Sequence, residues 1–312
     1  MKKLFTFITL NMAAFSTFSQ ASWSTIGSNF ATNSINPKIL VYDDTAYVAY
    51  VNASGSVELK KNMGANWLTI GTYTTIDNKY DFDISNDGAL LLSTVDRSNN
   101  PDNTAYEFYL KIRSYENGVI TQIENEYIGF GPISTNQIDV FDVDVNPNGG
   151  YGLVFRYNNS YPCTYMAKTN SNPWYVTNYT APGGSSGVKD SKLIYTNNGA
   201  VIYSRNASAF GGTVNALVSH AFRHETTSST PINVAGPSIY GTLIEQNFNL
   251  TKNQDTIFLC AELPNFEAVI LNQKLNWDGT ALQFGSLNTS INFGSTVFSV
   301  KMVLGDDYTK YV

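Results

Sequence analysis

Phe82-Asp-Ile-Ser-Asn-Asp-Gly-Ala-Leu-Leu-Leu92 decides the reading of this chain. Apolar residues alternate up to Ile84 and run continuously from Ala89, with Asn-Asp-Gly between them. Asn and Gly accept positive φ at little cost, so the centre reads as a tight hairpin turn. The alternating arm reads as a strand with one apolar face, and the continuous arm as a strand buried on both faces. Related stretches recur along the chain. They are Ile39 to Tyr50, Val143 to Phe155, Leu193 to Tyr203, Phe248 to Leu259 and Phe298 to Tyr308. Each joins a first strand to a more apolar second strand through Asp-Asp, Asn-Gly or a similar turn pair.

A second feature keeps the same beat. Trp23-Ser-Thr-Ile-Gly27 is echoed by Trp67-Leu-Thr-Ile-Gly71, and Trp174-Tyr-Val-Thr177 and Trp277-Asp-Gly-Thr280 follow at about twice that spacing. Copies without Trp are expected near Gly118 to Ile123 and Thr227 to Val234. These segments read as outer strands. A period of roughly 40 to 50 residues is the mark of propeller blades, because each unit buries its faces only by stacking on copies of itself. The predicted fold is therefore all-β, one six-bladed β-propeller over residues 22–312. The outer strand at Trp23 precedes the first hairpin and the last hairpin has none after it, so the N-terminal strand is expected to close the ring. Met302 to Val312 leaves room for only two strands, which implies either a reduced last blade or a truncated chain. No stretch after residue 21 carries apolar residues at helical spacing with a cap.

The first copy resembles the repeat of secreted bacterial β-propeller proteins, in which a Trp-x-x-Ile/Val-Gly outer strand accompanies an apolar-Tyr-Val-Ala-Tyr second strand. Here these are Trp23 to Gly27, Trp67 to Gly71 and Ala46-Tyr-Val-Ala-Tyr50. The resemblance covers residues 22 to 71. It implies an exported or surface module of the kind often joined to adhesion domains, and it implies no activity. The Ser-x-Asp-x-Gly-x-x-Trp boxes of sialidase-like propellers and the Gly-His…Trp-Asp pattern of intracellular WD40 repeats are absent.

Residues 1–21 read as a signal peptide. Lys2 and Lys3 form the basic start, Leu4 to Phe18 is mostly apolar, and Ser19 and Ala21 suit cleavage. Thr6, Thr9 and Asn11 interrupt the stretch, and a bilayer span needs ~20 apolar residues, so a membrane anchor fits poorly. No Cys near the cleavage site supports a lipid anchor, and no later segment is apolar enough to span a membrane. The expected location is secreted, periplasmic or extracellular. A net charge of −6, from 19 basic and 25 acidic residues, argues against a nucleic-acid partner. Cys163 and Cys260 either pair in an oxidising compartment or stay as buried thiols.

Loops that open on one end of a propeller are the usual place for ligands. Residues after second strands at that end are Asp96, Arg97, Arg156, Tyr157, Arg205 and Glu262. Asp81, Asp139 and Asp190 enter the blades. Arg156 and Arg205 lie seven and six residues past their turn glycines, Gly149 and Gly199, so they are close to the same phase. Either they face the channel and grip a carboxylate or sulfate through the planar fork, or they sit on the rim paired with neighbouring acids. Asp83 and Asp144 also share a phase. They either ligate Ca²⁺ or satisfy backbone N–H groups. No metal or cofactor is predicted, because a Ca²⁺ site wants six or more oxygens. His220 and His224, four apart on a strand, would stand ~13 Å apart, too far for one metal. Tyr157, Tyr161 and Trp174 offer rings for a sugar or a protein partner, or pack in the core.

Glycoside hydrolysis needs two carboxylates within ~10 Å, and no motif selects a pair. The favoured function is a non-catalytic binding or adhesion module at the cell surface, recognising a glycan or a surface protein. The alternatives are an enzyme, a hydrolase or lyase acting on acidic sugars, and a structural spacer.

Overall fold

A computed structural model describes residues 34–85, 87–132, 137–147, 149–157, 163–169, 172–179, 188–206, 216–222, 248–262, 268–277, 282–284, 288–292, 303–304 and 310–311. Every regular element among them is a β-strand. The first blade holds β1 (Ile35–Tyr42), β2 (Thr45–Val51), β3 (Ser56–Asn62) and β4 (Trp67–Thr74). The second holds β5 (Tyr80–Ile84), β6 (Leu90–Asn99), β7 (Ala105–Glu116) and β8 (Val119–Pro132). The third holds β9 (Ile138–Val145), β10 (Tyr151–Tyr157), β11 (Cys163–Thr169) and β12 (Asn172–Tyr179). Each is an antiparallel meander in chain order. The fourth shows β13 (Val188–Tyr195), β14 (Ala200–Asn206) and β15 (Ala216–Phe222). The fifth shows β16 (Phe248–Asn253), β17 (Thr256–Glu262), β18 (Ala268–Trp277), β19 (Leu282–Phe284) and β20 (Asn288–Asn292), the last two both on β18. Then β21 (Val303–Leu304) pairs with β22 (Lys310–Tyr311).

Five of the six predicted hairpins are β1–β2, β5–β6, β9–β10, β13–β14 and β16–β17; the sixth, Phe298 to Tyr308, lies outside the described residues except for Val303 and Leu304. Their turns need residues that tolerate the left-handed region. Asp43 and Asp44 both have positive φ between β1 and β2, and Gly88 has φ +88° between β5 and β6. That conformation matches the right-handed twist of the flanking strands.

The sheets stack in chain order. The first strands touch in the series β1, β5, β9, β13, β16, β21. Leu91, Val95, Phe108, Leu110 and Ile112 of the second blade meet Phe141, Val143, Leu153, Phe155 and Met166 of the third in one apolar core. Equivalent clusters fill the interfaces between the first and second and between the third and fourth blades. Each fully buried large side chain there stabilises by about 1.5–3 kcal/mol. Side chains also reach across the axis. Lys252 on β16 approaches Asp144 on β9 at 3.4 Å, passing over β13. First strands that are both sequential neighbours and mutually reachable across a centre describe a β-propeller with its first strands innermost.

Trp67 opens β4 and Trp174 lies in β12, both outermost strands of their sheets. Trp277 does not open an outer strand. It ends β18, the third strand, and pairs with Leu282 of β19. β19 runs antiparallel to β18 from Leu282, so the chain has reversed direction between the two strands. Trp23, the closing strand expected at the N-terminus, His224, Tyr161 and the copy near Thr227 lie outside the described residues. His220 lies on β15, a third strand, with its backbone opposite Ile202. Cys163 and Cys260 are both buried free thiols, and burial pushes the Cys260 thiol up to about 12. No described helix is long and apolar enough to cross a membrane.

Candidate functional site

The innermost strand of each sheet has one edge without a sheet partner. Its N–H groups point toward the neighbouring blade and need acceptors. Asp residues at alternate positions of the first strands supply them. Phe82 and Ile84 face the first blade, so Asp81 and Asp83 face the third. Asp81 Oδ2 accepts from Val143 N at 2.9 Å, and its other oxygen takes Lys38 Nζ. The same device recurs one blade on. Asp142 accepts from Leu193 N at 2.8 Å and from Lys192 Nζ at 3.1 Å. Asp144 accepts from Tyr195 N at 2.5 Å and from Val145 N at 2.9 Å. These carboxylates staple successive first strands where no ladder joins them.

Burial and charge set their protonation. Burial raises Asp81, but Lys38 and Lys192 outweigh it and hold the carboxyl below its ordinary range. Burial pushes Asp142 up to about 7 against the attraction of Lys192. Burial, with the charge of Asp144 and a hydrogen bond to it, pushes Asp83 well above the usual carboxylate range. A protonated Asp83 donating to Asp144 accounts for two acids sharing one level of the channel. Asp83 also accepts from Ile84 N at 2.7 Å. Of the two roles open to Asp83 and Asp144, the backbone bonds match the structural one. Among the described residues no acid, His or Cys cluster has the arrangement of a metal site.

The channel mouth lies where first strands begin and second strands end. Asp139 on β9 stands 3.4 Å from Arg156 Nη2 on β10. Asp190 on β13 is in register with Arg205 on β14. Tyr151 begins β10 and Ala200 begins β14, each opposite the last residue of its first strand, so Arg156 and Arg205 hold the same ladder position. Val95 holds it in the second blade. Both arginines lie on the face of their sheet turned to the next blade. Arg156 is 3% exposed, beneath an Asp139 side chain that is 22% exposed. Arg205 and Asp190 are half-buried. Lys79, just before β5, donates to the Asp139 carbonyl at 2.8 Å. Asp77 accepts from Ile138 N at 2.8 Å. Burial lowers Lys79 below its ordinary value while Asp190, Asp139 and Asp77 oppose the shift. Burial likewise lowers Arg205 against Asp190.

The remaining candidates are scattered. Asp81 sits deeper than the mouth, as a staple. Arg97 is exposed on an extension of β6, with its guanidinium 4.6 Å from the centre of the Tyr106 ring. Asp96 is held by Lys111 Nζ at 2.5 Å. Tyr157 ends β10 and Glu262 ends β17, both at the mouth end. Lys79, Lys38, Lys192 and Lys252 were not singled out by the sequence, because they occupy different repeat phases. The Asp-x-Asp echo in Tyr80-Asp-Phe-Asp-Ile84 and Phe141-Asp-Val-Asp-Val145 is the signal that marks the staples.

No family model and no curated protein sequence matches the chain. Among solved structures it is similar to polysaccharide lyase Uly1, at 10% identity and TM-score 0.49 over 80% of this chain. The chain spans 61% of that lyase's length. It is similar to an α-L-arabinanase of Penicillium chrysogenum complexed with arabinobiose, at 12% identity and TM-score 0.49, over 76% of this chain and 77% of that one. It is also similar to SapL1 lectin complexed with alpha methyl fucoside, at 10% identity and TM-score 0.44, over 82% and 81%. Such distant likeness carries no argument about the chemistry of this chain.

Proposed function

We propose that the protein is an exported, non-catalytic module that binds a neutral glycan at the channel mouth. The observation that supports it is an Asp beside each of two arginines that hold one ladder position on adjacent blades, Asp139 at 3.4 Å from Arg156 and Asp190 in register with Arg205. Each cation at the mouth has a carboxylate beside it. A carboxylate or sulfate ligand would have to displace those acids, so the sequence-level idea of arginines gripping an anion loses ground. A sugar hydroxyl both donates and accepts, and alternating Asp acceptors with Arg and Lys donors suit it. Arg156 is too deep to touch a ligand, and its role is to hold Asp139 in place.

Non-catalysis rests on how the deeper acids are employed. Asp81, Asp142 and Asp144 each accept a backbone N–H from the next blade and a lysine. General acid–base work needs a carboxyl free to reach substrate. The second reading, a glycan-degrading enzyme, draws on Asp142, whose protonation near about 7 is the range an acid–base group uses. Export through residues 1–21, a surface location and a glycan rather than a protein partner belong to the same proposal.

The test uses the full secreted chain on an array of neutral and acidic glycans, with titration calorimetry and a reducing-sugar assay on any hit. Neutral glycans should bind, and Asp190→Asn with Arg205→Gln should weaken binding at least about tenfold, as loss of paired polar contacts does. Binding confined to sulfated or uronic glycans, or release of reducing ends, would overturn the reading.

A further inference from the structure

The second blade is taller than the first. After Val95, β6 continues to Asn99 with no first strand beside it, paired only with β7, which pairs in turn with β8. At ~3.3 Å per residue this flap rises about 13 Å beyond the level of Arg156 and Arg205. In the first blade Thr45 lies opposite Tyr42, the last residue of β1, so Tyr50 holds that level and β2 ends one residue past it, at Val51. The flap has two faces. Tyr106 and Phe108 pack toward the third blade. Asp96, Ser98, Glu107 and Tyr109 occupy the other face, toward the first blade. There the last meeting is Thr74, at the end of β4, with Asp96. Among the described residues no strand of the first blade rises beside Ser98 and Glu107.

This face carries a small organised group. A bulge between Phe108 and Tyr109 sets Ile128 into the core and turns Tyr127 onto the same face as Tyr109. Bulges re-aim side chains in this way. The two rings meet edge to face, centroids 5.8 Å apart at 67°. Tyr127 is 44% exposed. Tyr109 donates its hydroxyl to Glu107 Oε2 at 2.7 Å, which fixes the carboxylate beside the rings and leaves it further acceptor capacity. At the foot, Lys111 neutralises Asp96.

We propose that Tyr109, Tyr127, Glu107 and Ser98 form a stacking subsite for one neutral pyranose unit of a glycan whose other end lies at the mouth. This rests on the glycan reading above. The Tyr127 ring offers an apolar face with a polar tip, which suits the alternately apolar and hydroxylated faces of a sugar ring. Glu107 accepts a sugar hydroxyl, and its charge repels an acidic unit. A protein partner fits less well, because a stable interface buries over about 1,000 Å² and this group is two rings wide.

The test uses fluorescently labelled dimers and hexamers of β-1,4-linked glucose, xylose and mannose and of β-1,3-linked glucose. Tyr127→Ala should weaken a hexamer about tenfold and leave the matching dimer unchanged, whereas Asp190→Asn with Arg205→Gln should weaken both. Tyr127→Phe should keep hexamer affinity, since it keeps the ring. Glu107→Gln should lose a fewfold. Hexamer binding that responds to the mouth variant and not to Tyr127→Ala would overturn the subsite and leave the mouth standing. Failure of every hexamer to bind the unaltered protein would remove both.

Discussion

The depth of the channel and its mouth are built from the same residue types, Asp with Lys or Arg, and they differ in what surrounds the charges. In the depth, Asp81, Asp142 and Asp144 reach the backbone of the next first strand, and their oxygens are taken. At the mouth, Asp190 and Asp139 face side chains of their own blade. The comparison teaches that an acid near a propeller axis is defined by the sheet edge beside it. Where an innermost N–H lacks a ladder partner, the acid is part of the fold. Where the chain has already turned outward, it is available to a ligand.

The largest test of that contrast is Asp142→Ala against Asp190→Ala. Removing Asp142 leaves the Leu193 N–H and the Lys192 cation without this partner. Uncompensated buried groups of that kind cost about 3–5 kcal/mol. Removing Asp190 at the half-buried mouth should cost about 1 kcal/mol or less. Chemical denaturation of both variants measures the difference. Equal losses would break the division between depth and mouth.

A pH test sharpens the same division. The Asp142 carboxyl titrates at about 7 in the folded chain, above the ordinary value of about 4. A raised folded value means that the folded state binds more protons across this window, so this group's contribution falls as pH rises from about 4 to about 7. Asp81, held below its ordinary range, contributes the opposite way, and its support is lost only as pH drops below about 4. Asp142→Asn should therefore gain on the unaltered protein between about pH 4.5 and 7.5, read from denaturation midpoints. A constant gap across that range would mean the side chain does not change charge there.

Much of this was legible in the sequence, and the limits are physical. A repeat is visible where every blade obeys the same rule, which is why the hairpins at Asp43-Asp44, Gly88 and Gly199 stand out. Phase counting likewise put Arg156 and Arg205 close to one phase, and the strand pairing of β10 and β14 gives them the same ladder position. Whether a charged side chain points across the axis or into a cleft depends on the next blade, and no single repeat carries that information. The lysines show it. Lys38, Lys192 and Lys252 come from different phases and converge only because successive first strands stack beside two acidic ones. Trp277 departs from the pattern because a Trp opens outer strands elsewhere, while here it ends a third strand. The flap was missed for the opposite reason. It is a departure from the repeat, signalled only by the long alternation of Tyr106, Phe108, Leu110 and Ile112 with Glu107, Tyr109, Lys111 and Arg113.

The smallest effect gives the tightest control. The Lys111–Asp96 pair at the foot of the flap and the Lys192–Asp142 pair in the channel have lysines of nearly equal exposure, 26% and 27%. Their carboxylates differ, 27% exposed against 9%. Asp96 also meets only the Thr74 hydroxyl besides its lysine, at 3.4 Å, whereas Asp142 takes a backbone N–H. By distance alone the flap pair, at 2.5 Å, should be the stronger. Solvent screening reverses that order, since exposed pairs are worth about 0.2–1 kcal/mol whatever their length. Lys111→Met should then shift stability by less than about 1 kcal/mol, and raised salt should leave the shift near zero. A loss approaching that of Asp142→Ala would show that charge separation, and not the neighbouring sheet edge, governs these acids.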